Sequence, residues 1–136
     1  MSNGPYVLDA TALIHYERSS ILRRLPPPGV RLFVPDRVAR EVNQPRSRLA
    51  TWLARNPHLV TRMLPRESAS YLQFLIQRDT KLDDGEASAL AIAFHRNAHL
   101  VTDDGAAQKK ALSHGVAWSD SAAFVRAVVP KQLHLL

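Results

Sequence analysis

The chain contains no cysteine among its 136 residues, which excludes a disulfide framework, thiolate metal sites and cysteine nucleophiles. Glycine is scarce: with five residues there is little room for a phosphate-cradling glycine loop, and neither that loop nor a Gly-x-Ser-x-Gly elbow is present. No apolar run approaches the ~20 residues needed to cross a bilayer. The first twenty residues, MSNGPYVLDATALIHYERSS, lack a basic stretch followed by an uninterrupted apolar core, so no signal peptide is expected. These absences leave a soluble cytoplasmic protein, without membrane association, as the expected class. Hydrophobic content of 46% and aromatic content of 7% suit one compact domain spanning 1–136.

Acidic residues are nearly missing from one half of the chain. Residues 18–66 hold eleven arginines against Asp36 and Glu41, nine net positive charges. The remainder, with seven basic and ten acidic residues, carries three net negative charges, consistent with +6 for the whole. Arginine outnumbers lysine fourteen to four, and its planar fork suits phosphate. The basic half therefore points to a polyanionic partner, with Arg37, Arg40 and Arg46 as candidate nucleic-acid-binding residues. An arginine-rich surface without a partner is the competing explanation.

Short apolar runs alternate with longer amphipathic ones. Tyr6–Leu8, Arg31–Val34, HLVT at 99–102 and Gly115–Trp118 read as strands. Helices are expected from Thr11, near Ser20–Leu25, over RVAREV with Asp36 as cap, over Ser47–Asn56 and Glu67–Arg78, and over Gly85–His95. Two more follow at Gly105–Ser113 and Ser119–Val128, the last capped by Ser119, while His58–Leu64 is ambiguous. The alternation predicts an α/β domain with a mainly parallel central sheet flanked by helices. Leu13, Tyr16, Tyr71 and Phe74 are expected in its core. His95 and His99 are four apart, but Asn97 is expected to close the helix between them, which argues against a shared zinc site. The terminal QLHLL reads as a partner-binding or fraying end.

The acids fall at the edges of this outline. Asp9 follows the first strand, and Asp103 and Asp104 follow HLVT, at the strand ends where parallel sheets gather ligands. Glu41 sits beside the apolar face of its helix. Glu86 belongs to KLDDGEASALAIAF, where a helix apolar on nearly every side begins with three carboxylates in four residues. Each acid also has a purely structural role available: Asp104 as an N-cap, Glu41 paired with Arg37, Glu86 in a capping box with Asp83. Asp9 has the weakest such role, because Thr11 reads as the better cap. Should the acids converge, they would stay partly protonated unless a cation joined them. Oxygen-only ligands suit Mg²⁺ or Mn²⁺.

The segments YVLDATALI, DRVAREV, DDGEASALAIA and LVTDDGAAQKKA together resemble the four acidic motifs of the PIN-domain nucleases. That fold is shared by the VapC-type toxins of bacterial and archaeal toxin–antitoxin pairs. The resemblance runs from about residue 5 to 128, with Glu86 where many members carry Asp. It implies a metal-dependent endoribonuclease in which Asp9, Glu41, Glu86 and Asp104 hold Mg²⁺ or Mn²⁺, supported by Thr11 and Asp103. It further implies an RNA substrate, a cognate antitoxin and a homodimer. Two rivals stand beside it: a nucleic-acid-binding module with an incomplete acidic site, and a phosphoacceptor receiver domain, which the absence of a lysine after the last strand disfavours.

Overall fold

The computed structural model of the chain describes residues 4–79 and 81–129. Strand β1 (Tyr6–Leu8) is apolar and buried at every position. Such a strand needs both faces covered, as in the middle of a parallel sheet. It lies between β2 (Leu32–Pro35) and β4 (His99–Val101), with β3 (Val60–Thr61) and β5 (Trp118–Ser119) at the edges. All pairings are parallel, in the order β3-β2-β1-β4-β5. Val7 stands opposite Phe33 on one side and Leu100 on the other.

Among the described residues seven α-helices cover this sheet: α1 (Ala10–Arg18), α2 (Asp36–Val42), α3 (Arg48–Arg55), α4 (Pro65–Ile76), α5 (Asp84–Arg96), α6 (Gly105–Ser113) and α7 (Ser121–Val128). Alternate side chains of a strand face opposite ways, and the core divides accordingly. Tyr6 and Leu8 pack with Leu13 and Tyr16 of α1, Val38 of α2 and Phe124 of α7. Val7 packs on the other face with Tyr71 and Phe74 of α4 and the alanines of α5. Helix α5 is buried continuously from Gly85 to Ala93. Its small side chains let the backbone approach the sheet, and Asn97, left-handed at φ 52°, ends it as expected.

Several local expectations change. The piece near 20–25 is only a 3₁₀ turn at Leu22–Arg24, and a second turn at Pro57–Leu59 leads into β3. Asp36 is the first residue of α2 rather than its cap, and the helix follows Pro35 with no side-chain cap. Ser119 is drawn into the sheet opposite Val101. The capping role therefore falls to Asp120, whose Oδ1 accepts from the Ala123 N–H at 2.7 Å. The terminal QLHLL lies outside the described residues.

One buried ion pair ties the periphery together. Glu67, with no exposed surface, accepts from the Arg96 guanidinium at 2.8 and 2.9 Å and from the Leu64 N–H at 2.8 Å. Arg96 also donates to Thr61 Oγ1 and the Arg62 carbonyl and lies 5.1 Å from the Phe33 ring centroid. Burial opposes the Glu67 charge, but the Arg96 fork and the Leu64 N–H outweigh it, holding the carboxyl below its ordinary value. Glu67→Ala would leave Arg96 without its counter-charge, and its expected cost in urea unfolding is about 3–5 kcal/mol. A loss under about 1 kcal/mol would contradict this role.

Candidate metal and active site

The strand order reverses its direction of growth at β1: β2 and β3 extend the sheet one way, β4 and β5 the other. Such switch points leave a crevice at the carboxyl ends of adjacent strands, here where β1 ends in Asp9 and β4 runs into Thr102, Asp103 and Asp104. The Asp9 N–H donates to the Val101 carbonyl at 3.2 Å, continuing the pairing of the two strands to the edge. Only 1% of Asp9 is exposed. Its Oδ1 accepts from Thr11 Oγ1 at 2.7 Å and from the Ala12 N–H at 3.1 Å. Asp9 is thus the N-cap of α1, a role expected of Thr11. Strand and helix are separated by this single residue, which ends one and starts the other.

The second oxygen, Asp9 Oδ2, is buried and has no hydrogen-bond partner. Burial raises the Asp9 pKa, as does the Asp103 charge, while the nearby hydroxyls of Thr102 and Thr11 and the Ala12 N–H pull it back only in part. The Thr11 hydroxyl also accepts the Asp103 N–H at 2.9 Å and lies 3.4 Å from Thr102 Oγ1. Thr102, fully buried, in turn accepts the Asp104 N–H at 3.1 Å. Two hydroxyls therefore stitch the end of β1 to the end of β4.

The other acids arrive on helix starts. Asp83 and Glu86 form the expected capping box: the Glu86 N–H donates to Asp83 Oδ1 at 2.8 Å and the Asp83 N–H to Glu86 Oε1 at 2.9 Å. Asp104 caps α6, its Oδ1 accepting from the Ala107 N–H at 2.9 Å. Burial, then contact with Asp104 and the Asp83 charge, pushes Glu86 up to about 8. Glu41 approaches from α2 onto the first turn of α5, where Gly85 makes room: a Cβ there would meet Glu41 Oε2 at 3.1 Å and Val38 Cγ2 at 3.3 Å. Although Glu41 is exposed, partial loss of water and the charges of Asp83, Asp9 and Asp84 raise its carboxyl above the ordinary value.

Asp9 and Glu41 thus act on each other electrostatically, as do Glu86 and Asp104. Among the described residues no group of three acidic or histidine side chains stands arranged to hold an ion. The donor set still fits a hard divalent cation, since it offers carboxylate oxygens and one of them, Asp9 Oδ2, is buried without a partner. Asp103 turns its Oδ1 to the Ser121 N–H at 2.7 Å, which fixes the entry to α7. Arg37 does not pair with Glu41. It reaches Asp84 at 3.1 and 3.3 Å and lies 4.8 Å from the Tyr71 ring, whose hydroxyl also donates to Asp84. Arg40 lies 3.6 Å from Asp36, and Arg46 is exposed in the turn before α3 with φ 65°. His95 and His99 bond separately to Ser70 and Ser119. Thr102 and Asp83 complete the network without having been assigned a place in the site from the sequence; the Thr-x-Asp spacing to Asp104 was the available signal.

The PIN-domain family profile matches residues 5–132. The chain belongs to the PIN-domain family. This PIN domain shares its fold with VapBC-1 from nontypeable Haemophilus influenzae, at 16% identity and a TM-score of 0.61 over 86% of this chain and 98% of that one. VapBC2 from Rickettsia felis, solved bound to a DNA fragment from their promoter, aligns at 13% identity and TM-score 0.58, covering 85% and 97%. PAE2754 from Pyrobaculum aerophilum aligns at 17% and 0.57, covering 90% and 95%. No curated protein is significantly similar in sequence.

Two measurements check the electrostatics of this PIN domain. Between the ordinary value of 4.5 and about 8, the folded chain retains a proton on Glu86 that the unfolded chain has released. Without divalent ions, stability should therefore fall as pH rises through that window, and Glu86→Gln should flatten the slope. An unchanged slope in the variant would contradict the assignment. Gly85→Ala should leave stability within about 1 kcal/mol of the parent, since helix propensity offsets the crowding. The added methyl should push Glu41 off α5, so that its carboxyl, followed by NMR titration, returns toward its ordinary value.

Proposed function

We propose that this PIN domain is a metal-dependent endoribonuclease and the toxin of a type II toxin–antitoxin pair. The observation that carries the reading is the buried, unpartnered Asp9 Oδ2, with Glu41 close enough to act on Asp9 and Glu86 on Asp104, and with both glutamates raised above their ordinary pKa. A buried polar atom without a partner costs on the order of 1–3 kcal/mol, and a divalent cation would recover that cost while separating the repelling charges. Asp9, Glu41, Glu86 and Asp104 would hold Mg²⁺ or Mn²⁺, which supplies Lewis-acid activation of water and neutralises charge at a phosphodiester.

The chain's own residues do the positioning. Thr11 holds Asp9 in one rotamer and joins it to the β4 end through the Asp103 N–H. Thr102 holds the start of the Asp104 turn. Arg37, fixed by Asp84 and Tyr71, ties the helix carrying Glu41 to the helix start carrying Glu86, so its proposed contact with RNA is made alongside that ion pair. Arg40 and Arg46, more exposed, are the freer phosphate contacts. The fold shared with VapBC-1 and VapBC2 supports an antitoxin partner for this chain, and a homodimer is part of the same proposal. A cytoplasmic location is proposed with it; among the described residues no helix is long and apolar enough to cross a membrane.

The second reading is a nucleic-acid-binding module with an inactive site, favoured by the fact that Asp9, Asp83 and Asp104 all serve as helix caps. One experiment separates the two. Asp9→Asn keeps a capping acceptor and should preserve the circular-dichroism spectrum. It should lower Mn²⁺-dependent RNA cleavage at least a hundredfold and abolish the Mn²⁺-induced rise in Tm. Cleavage undiminished in the variant would remove the assignment; salt-sensitive binding with no metal-dependent turnover in the parent would install the second reading.

A further inference from the structure

Away from the acids, at the far end of α1, the chain forms a second cleft of about 530 Å³ between the turn after α1 and helix α3. Four arginines line it: Arg23, Arg46, Arg48 and Arg55. Among the described residues none of the four makes a side-chain hydrogen bond or ion pair, whereas Arg37, Arg40 and Arg96 each pair with a carboxylate. The one acid lining the cleft, Glu17, accepts the Leu49 N–H on Oε2 at 2.9 Å, against four guanidiniums. Of the three non-glycine residues with positive φ among the described residues, Asn97 closes α5 and Ser20 closes α1, where the Ile21 N–H returns to the Tyr16 carbonyl at 3.1 Å, while Arg46 (φ 65°) stands in the turn before α3 and lines the cleft. Such conformations persist where surrounding structure imposes them and concentrate at binding sites.

We infer that this cleft is a phosphate-binding groove for the backbone of a single-stranded RNA whose scissile bond lies at the acidic site. The inference rests on the proposed nuclease reading and deepens it. Unpaired guanidinium forks are the chemistry of phosphate contacts. The cleft offers a protein partner no aromatic or aliphatic anchor: Leu22 and Trp52 are 6% exposed each, and the indole N–H is committed to the Leu25 carbonyl. From Asp9 to Glu17 helix α1 rises about 12 Å, so the groove engages nucleotides well removed from the cleaved bond. Phosphate contacts confer no base preference; the groove sets affinity and the length of RNA required.

Binding of a fluorescent single-stranded 20-mer is measured on the Asp9→Asn chain, so the readout does not depend on cleavage. Adding Arg23→Gln, Arg48→Gln and Arg55→Gln should weaken binding at least tenfold at 0.1 M salt. The slope of log K against log salt should become shallower by about 2, at about 0.7 per phosphate contact. Thr51→Glu alone, which places a carboxylate among the guanidiniums, should weaken binding in the same direction. Unchanged affinity and slope in both variants would overturn the inference. So would a groove-dependent affinity for poly-glutamate with RNA binding untouched. A chain that binds RNA through this groove yet cleaves nothing would retain the groove and lose the nuclease reading.

Discussion

The site depends on one arrangement: carboxylates that close the first turns of helices at the carboxyl edge of a parallel sheet. The first N–H groups of a helix have no partner within it, and in this chain Asp9, Asp83, Asp104 and Asp120 each give one oxygen to such a group. The positive end of each helix also offsets part of the negative charge. Acids that would otherwise repel one another are thereby held near a common edge by backbone hydrogen bonds. A carboxylate has two oxygens, and capping occupies only one. At Asp9 the other remains buried and unpartnered, which is where structural duty ends and chemistry becomes available.

The sheet order supplies the convergence. Because β1 is central, its end and the end of β4 are neighbours, and the Thr11 hydroxyl that holds Asp9 also accepts the Asp103 N–H although ninety-two residues separate them in the chain. Helix α5 brings Glu86 from a third direction, and the missing side chain at Gly85 lets Glu41 come from a fourth. The hydroxyls of Thr11 and Thr102 then fix the separation of the two strand ends. The Glu67–Arg96 pair secures α4 against the opposite end of α5.

Much of this was legible from local pattern. YVL and HLV formed their strands, Asp83 and Glu86 their capping box, and Asn97 its stop, because each depends on residues within four positions. The misreadings occurred where tertiary pairing decided. Asp9 as a cap was hidden because a three-residue strand passes into a helix with no connecting loop. Ser119 looked like a cap until sheet pairing claimed it. Arg37 had Glu41 one turn away, yet chose Asp84 from a distant helix start, a choice no spacing reveals. Thr102 reads in isolation as an ordinary β-branched strand residue, and only its place beside Thr11 gives it a purpose. The cleft arginines were visible as a charge excess, but not as a cleft.

Helix α5 has no side facing water between Gly85 and Ala93. Ala87, Ala89 and Ala91 have no exposed surface, and extra methylenes at enclosed positions force side chains off their rotamers and shift the backbone. Any such growth would lift the rod from the sheet and carry Glu86 with it. The spacing of the charged edge is therefore governed by methyl groups, and drift at these inert positions would detune the acids as surely as a change to the acids themselves.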